Sequence, residues 1–103
     1  MIMVSVTYPA SEGYRFDWAY YTGHHIPLVE EAFGDTGLQG VWVLKGVSAL
    51  DGGPAAHVAI ANLAFADADA VQASLAGPKA AAVIADIANF TDIQPMIQLN
   101  TRL

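Results

Sequence analysis

Two tyrosines and two histidines stand close together in the segment Tyr20–Val29, which reads YYTGHHIPLV. Histidine titrates near pH 6.5 and is the side chain that most often gives or takes a proton in active sites. Tyr21 and His25 are four residues apart, so both can point the same way on a helix. The pair is therefore a candidate acid or base with a hydroxyl beside it.

A structural role fits the same segment. Pro27 lacks an amide hydrogen and its ring crowds the carbonyl of Gly23, four residues earlier, so we expect a kink in the helix. A buried His25 could then hydrogen-bond a backbone carbonyl freed near the kink. The tyrosines would in that case be core aromatics whose hydroxyls reach the rim. Spacing alone leaves both interpretations open.

Length and composition restrict the classes of protein to consider. The 103 residues suffice for a single domain, residues 1–103, with a real core. The net charge is −6 with only four Lys and Arg residues, so we exclude nucleic acid as a partner. The absence of cysteine excludes disulfides and thiolate metal sites. No basic region precedes the apolar start and no stretch approaches the roughly 20 apolar residues of a membrane span, so we expect a cytoplasmic protein without a membrane partner.

Changes of hydrophobic period predict the order βαββαβ. The four predicted strands are Ile2–Tyr8, Leu38–Val47, His57–Phe65 and Thr91–Leu99. The first helix is predicted from an Asp17 cap to Phe33, and the second begins at Asp67 and is split in two by Gly77 and Pro78. The two middle strands are expected to pair as a hairpin. Pro95 argues that the last strand is an edge strand or contains a bulge.

The middle strands of the predicted sheet are apolar on both faces. Val41 and Val43 alternate with Trp42 and Leu44. Two helices can cover only one face of a four-stranded sheet, and the other face then needs cover from outside the chain. A second copy would bury on the order of 1,600 Å² of surface, which outweighs typical association costs. We therefore predict an obligate homodimer.

Some strand positions carry polar side chains, and these could line a cavity or face solvent at strand ends. They are Ser5, Thr7, Asn62, Gln94 and Gln98. Buried polar groups need partners or water, and ligand pockets are mostly apolar with a few placed polar groups. We expect one pocket that also contains His25 and Tyr21. The predicted ligand-binding residues are Trp18, Tyr20, Trp42, Asn62 and Gln98.

The chain resembles the EthD family, small proteins similar to one encoded beside an ethyl tert-butyl ether degrading cytochrome system. The features that carry the resemblance are a valine-rich opening strand, a tyrosine pair followed by H-x-P-L in Tyr20–Leu28, and a closing N-Y-T-D-I-x-P segment at Asn89–Pro95. Phe90 replaces the frequent tyrosine of that segment. By this alignment His25 is the family histidine, and His24 occupies a variable position and receives no role. The resemblance implies an α+β, ferredoxin-like subunit whose dimer closes two sheets into an α+β barrel.

The wider superfamily implied by this resemblance includes isomerases, monooxygenases, polyketide cyclases and haem-handling enzymes, so the fold does not select a reaction. One hypothesis is an oxidoreductase, monooxygenase or isomerase/cyclase for a small hydrophobic oxygenated compound, with His25 moving a proton and the Tyr21 hydroxyl holding an oxygen. The alternative is a non-catalytic homodimer that carries an apolar metabolite for a partner oxygenase. A third hypothesis is haem binding through a histidine. Since no glycine-rich phosphate loop and no carboxylate or third histidine at helical spacing accompanies His25, we predict no cofactor and no metal site.

Overall fold

The computed structural model describes residues 1–103, and its elements follow the predicted βαββαβ order. The strands are β1 (Ile2–Pro9), β2 (Leu38–Lys45), β3 (His57–Phe65) and β4 (Met96–Thr101). The helices are α1 (Trp18–Tyr20), α2 (Ile26–Gly34), α3 (Ala68–Leu75) and α4 (Ala80–Asp86). The strands form one antiparallel sheet in the order β2-β3-β1-β4. This is the strand arrangement of a ferredoxin-like subunit.

The predicted hairpin is confirmed, because β2 and β3 pair antiparallel along their length. The predicted start of the last strand at Thr91 is wrong. Thr91 makes only an isolated bridge to Phe16, and its hydroxyl donates to the carbonyl of Arg15. Pro95, which has no amide hydrogen to give to a ladder, directly precedes β4 instead of lying inside it. The edge position is correct, since β4 pairs only with β1.

The first helical run continues from Trp18 to Gly34 through a π-helical turn at Tyr21–His25 that joins α1 to α2. Asp17 caps it as predicted, with its carboxylate accepting from the Tyr20 amide at 3.1 Å. The expected kink before Pro27 takes the form of this widened turn. Within it, the Ile26 amide donates to the Tyr21 carbonyl, five residues back.

The helices cover one face of the sheet and leave the other bare. Val4, Leu63 and Phe65 of the covered face pack with Phe33 of α2 and Val83 of α4 in the larger core cluster. We call the uncovered side the open face. Its rows include Trp42 paired with Asn62, Ser5 paired with both Asn62 and Gln98, and Leu44 paired with Ile60. None of the helices has the length and apolar character that crossing a membrane requires.

Candidate functional site

A cavity of about 310 Å³ lies between the covered face of the sheet and the helices. Of its 17 lining residues, 16 are hydrophobic and the remaining one is His25. The sheet contributes Val4, Val6 and Tyr8 from β1, because alternate residues of a strand point to one face. A volume near the lower end of the roughly 300–1,000 Å³ range suits a small organic molecule.

His25 enters this cavity as half of a buried pair with Asp86, the last residue of α4. Its Nδ1 lies 2.8 Å from Oδ2 of Asp86. Both residues are buried, at 4% and 7% exposure. The other carboxylate oxygen accepts from the Tyr20 hydroxyl at 2.5 Å and from the Asn89 amide at 3.0 Å. Tyr20 and Asn89 thus hold one oxygen of the carboxylate, while the other oxygen contacts the imidazole.

Electrostatics assign the protonation states of this pair. Burial opposes ionisation of Asp86, but the hydrogen bonds from Tyr20, Asn89 and His25 outweigh it and lower the pKa of Asp86 to about 2. Burial also lowers the pKa of His25, against the opposite pull of the Asp86 hydrogen bond and charge. At neutral pH the pair is therefore a carboxylate beside a neutral imidazole. Because a carboxylate only accepts, Nδ1 carries the proton and Nε2 keeps a free lone pair.

Tyr21 places an unpaired hydroxyl next to this imidazole. Its ring stacks on the ring of His25, with centroids 5.9 Å apart and an interplanar angle of 15°. The residue is fully buried, and its hydroxyl has no hydrogen-bond partner. Burial raises the pKa of Tyr21 to about 12, so the hydroxyl stays a donor at neutral pH. A buried polar group without a partner costs stability.

The π-helical turn explains how neighbouring residues serve opposite sides of the site. Tyr21 and His25 face inward, whereas Tyr20 and His24 stack on each other with centroids 4.6 Å apart on the outer side. His24 is largely exposed, and its Nδ1 lies 3.6 Å from Oδ2 of Asp86. The sequence assigned no role to His24, yet the structure puts it against the same carboxylate. Single π-helical turns inside helices are frequent at functional sites.

The structure brings together only part of the predicted site. Tyr21 and His25 share the cavity wall, and Tyr20 joins them through Asp86 without lining the cavity. Trp18 packs on Phe16 with centroids 4.4 Å apart, outside the cavity wall. The other three predicted ligand-binding residues lie on the open face, across the sheet from His25. They are Trp42, Asn62 and Gln98.

The expectation of one shared pocket is therefore wrong for a single subunit. Alternation shows which strand residues share a face, but it does not show which face the helices cover. On the open face the polar residues satisfy one another instead, since Ser5 donates to Asn62 at 2.7 Å and Asn100 donates to Ser5 at 2.9 Å. His25 is buried inside its own subunit, so the burial of the imidazole does not depend on a second copy.

Asp86 and Asn89 are the functional residues that the sequence analysis missed. Asp86 follows the buried residues Ala80 and Val83 at intervals of three, on the stripe of α4 that faces the core. A carboxylate on such a stripe needs a buried partner. The position of Asp86 on this apolar stripe is the feature of the sequence that could have identified it as part of the site. The expected backbone-carbonyl partner of His25 is replaced by this carboxylate.

The cavity does not suit haem. The two propionates of haem need cationic partners or water, and no Lys or Arg lines the cavity. His25 also has its Nδ1 on a carboxylate and only the narrow cavity beyond its Nε2. No group of three or more His, Cys, Asp or Glu residues is arranged to hold a metal ion. The absence of a cofactor stays a prediction.

Known proteins share this architecture. An EthD domain profile matches residues 14–94. The chain is similar to an EthD-like protein from Ralstonia eutropha JMP134, with 37% identity, coverage of 96% of this chain and 88% of that chain, and a TM-score of 0.87. A search of curated protein sequences finds no match.

Two more distant structures show the fold. SnoaB, described as a cofactor-independent oxygenase from Streptomyces nogalater, has 15% identity, coverage of 98% and 90%, and a TM-score of 0.67. A DABB family protein with a ferredoxin-like fold from Mesorhizobium loti MAFF303099 has 12% identity, coverage of 99% and 96%, and a TM-score of 0.66. The predicted α+β, ferredoxin-like fold is confirmed by these neighbours and by the strand order. With the domain match and the 37% identity, this chain belongs to the EthD family.

Proposed function

We propose that this protein is a small acid–base enzyme, and that His25 takes a proton from a hydrophobic oxygenated compound bound in the cavity. The observation that carries the proposal is the 2.8 Å contact between Nδ1 of His25 and Oδ2 of Asp86, at the wall of an otherwise apolar cavity. A neutral imidazole whose Nδ1 is held by a carboxylate offers Nε2 as a base.

The proposed step moves one proton and one electron pair. A C–H bond next to a carbonyl breaks, its proton passes to Nε2 of His25, and the electron pair moves onto the carbonyl oxygen as an enolate. The Tyr21 hydroxyl donates to that oxygen, and the Asp86 carboxylate stabilises the imidazolium. Because the cavity is lined by apolar side chains, both the hydrogen bond from Tyr21 and the attraction between Asp86 and the imidazolium are stronger there than in water.

Three outcomes share this step. Return of the proton to a different carbon is an isomerisation, attack of the enolate carbon on a second carbonyl is a cyclisation, and reaction of the carbanion with dioxygen is a cofactor-free oxygenation. The description of SnoaB as a cofactor-independent oxygenase supports the last outcome as one that this fold can host. The broader oxidoreductase role and a link to ether degradation rest on family membership alone.

The second candidate is a carrier that holds an apolar metabolite for a partner oxygenase. The apolar lining favours it, since 16 of the 17 lining residues are hydrophobic and mainly offer shape and burial. This candidate gives no purpose to the buried carboxylate behind His25. It therefore ranks second.

We also propose that two copies pair through their open faces as an α+β barrel. Trp42, Leu44 and Met96 on this face are 55%, 52% and 63% exposed. A monomer gains nothing from exposing such large apolar side chains on one face of its sheet, whereas a second open face would bury them. The cytoplasmic location stays a prediction.

Deuterium exchange tests the enzymatic proposal without knowledge of the substrate. The probe is 2-tetralone in D₂O, whose α-hydrogens are followed by proton NMR with wild-type protein, His25→Gln and the control His57→Gln. We expect wild type and His57→Gln to accelerate exchange, and His25→Gln to lose about 10²- to 10⁴-fold of the acceleration. Binding of the probe without acceleration would favour the carrier, and equal acceleration by His25→Gln would remove His25 from the chemistry.

A further inference from the structure

The cavity has a polar end and an apolar end. Tyr8, Tyr21 and His25 bring its polar atoms to one end. The other end is reached along β1 at Val4, which pairs with Leu63 and packs in a purely apolar cluster. Val4 and Tyr8 are four positions apart on the strand, which corresponds to roughly 13 Å at about 3.3 Å per residue. The cavity is therefore an elongated slot with its hydrogen-bonding groups at one end.

No fixed charge lines the slot. All four cations lie elsewhere, and two of them have partners outside it: Arg15 donates to the carbonyl of Ala88, and Lys45 sits 4.9 Å over the ring of Trp18. The charge closest to the polar end is the Asp86 carboxylate behind His25, which repels an anion. Burying an ionised group without a partner is costly. An ionised ligand is therefore disfavoured, and an anion most of all.

The mouth of the slot is apolar as well. Three lining residues are the exposed ones, with exposures of 45%, 53% and 47%. They are Leu75 of α3, Ile84 of α4 and Ile97 of β4. A ring of exposed aliphatic side chains at an opening selects for molecules that arrive without a tightly bound hydration shell. The mouth and the interior of the slot thus both favour an uncharged, largely apolar ligand.

From these observations we infer that the ligand is an uncharged ketone or phenol with a hydrocarbon body. Its oxygen accepts from the Tyr21 hydroxyl at the end of the slot that contains His25, and its body lies along β1 toward Val4 and Leu63. This inference rests on the proposed function, because it names the class of ligand that the same site binds, with the ketones as its substrates. It predicts that carboxylates and phosphates bind the slot more weakly than neutral molecules of the same size.

Paired probes of equal size test the inference by binding alone. Titrations at pH 7 compare 2-naphthol, which is neutral, with 2-naphthoate, which carries the same ring system and one negative charge. We expect 2-naphthol to bind at least about tenfold more tightly. Equal or tighter binding of 2-naphthoate would overturn the inference, and so would the failure of both to bind at millimolar concentration.

A series of 4-alkylphenols tests the orientation without any variant. If the phenol stays at the polar end, each added methylene enters the apolar end, and the affinity rises by roughly fourfold per methylene until the slot is filled. An affinity independent of chain length would contradict the orientation. The same titrations with His25→Gln separate this inference from the proposed function, because ligand preference can persist when deuterium exchange is lost, and exchange can persist when the preference is absent.

Discussion

Asp86 at the end of α4 holds Nδ1 of His25 at 2.8 Å, across 61 positions of sequence, and both side chains are buried. The contact fixes the orientation of the imidazole and joins the π-helical turn to α4. It also gives the neutral imidazole a defined tautomer, which the proposed role of His25 as a base requires.

Replacing Asp86 with Asn should weaken the base and change its pH dependence. The carboxylate raises the pKa of His25 against the effect of burial, so its loss should lower that pKa further. The acid limb of the rate profile should move to lower pH, and the plateau rate should fall by about 10²-fold through weaker basicity and poorer orientation. Deuterium exchange of 2-tetralone between pH 4 and 8 measures both. An acid limb that moves to higher pH would contradict the role of Asp86.

Replacing Tyr20 with Phe should affect the site through Asp86 only. The Tyr20 hydroxyl donates to Asp86 at 2.5 Å, and its loss should raise the pKa of Asp86 from about 2. Side-chain ¹³C NMR of Asp86 during an acid titration measures this pKa. The control is Tyr14→Phe, which changes a tyrosine that is 46% exposed and outside the cavity wall. An unchanged Asp86 pKa in Tyr20→Phe would show that the hydroxyl does not position the carboxylate.

Replacing Tyr21 with Phe separates a functional hydroxyl from a structural one. Since the hydroxyl is buried without a partner, its removal should leave the free energy of unfolding unchanged or raise it by about 1 kcal/mol. Binding of 2-naphthol should weaken, because its oxygen loses a donor. Urea unfolding and the naphthol titration give the two readouts. A large loss of stability with unchanged binding would indicate that the hydroxyl serves the core alone.

Stability should fall as the pH drops, in two stages. The pKa of His25 is lowered on folding from 6.5, so below pH 6.5 the unfolded chain binds this proton more readily than the folded protein. The pKa of Asp86 falls from 3.8 to about 2, so its contribution is complete above about pH 4 and is lost as the pH falls toward 2. Urea unfolding at pH 7, 5 and 3 should show both losses. His25→Gln should remove the first loss and Asp86→Asn the second, whereas curves identical to wild type would contradict these assignments.

The open-face dimer predicts that a charge introduced on this face separates the subunits. Trp42→Glu should convert a dimer to a monomer, because the carboxylate would be buried without a partner in the interface. The matched control is Ile84→Glu, which places the same charge on an apolar residue of similar exposure on the helical side. Sedimentation velocity at micromolar concentration distinguishes the two. A wild-type monomer would end the proposal.

Local patterns predicted most of the fold. Alternation located the hairpin of β2 and β3, the Asp17 cap marked the start of the first helix, and Gly77 with Pro78 marked the break between α3 and α4. Each of these features is determined by residues that are close together in the sequence, so the sequence alone can predict it. The late start of β4 was missed because Thr91 uses its hydroxyl to bond Arg15 and leaves the ladder.

The site was only half visible in the sequence, for a physical reason. Tyr21 and His25 lie on one helical segment, so their spacing reveals their shared direction. Asp86 reaches His25 only through the packing of α4 against α2, and its signal was a single carboxylate on an apolar stripe. Trp42 was assigned to the same pocket because both sheet faces are apolar. The helices pack against the face of the sheet opposite Trp42, so the cavity forms there.

The most direct test of the central claim is side-chain ¹⁵N NMR of His25 in the ligand-free protein. We predict a neutral imidazole at pH 7, with the proton on Nδ1 and none on Nε2, and a pKa below 6.5 that decreases further in Asp86→Asn. A proton on Nε2 at pH 7, or a His25 that titrates above pH 6.5, would contradict the account of His25 as a base aimed into the cavity.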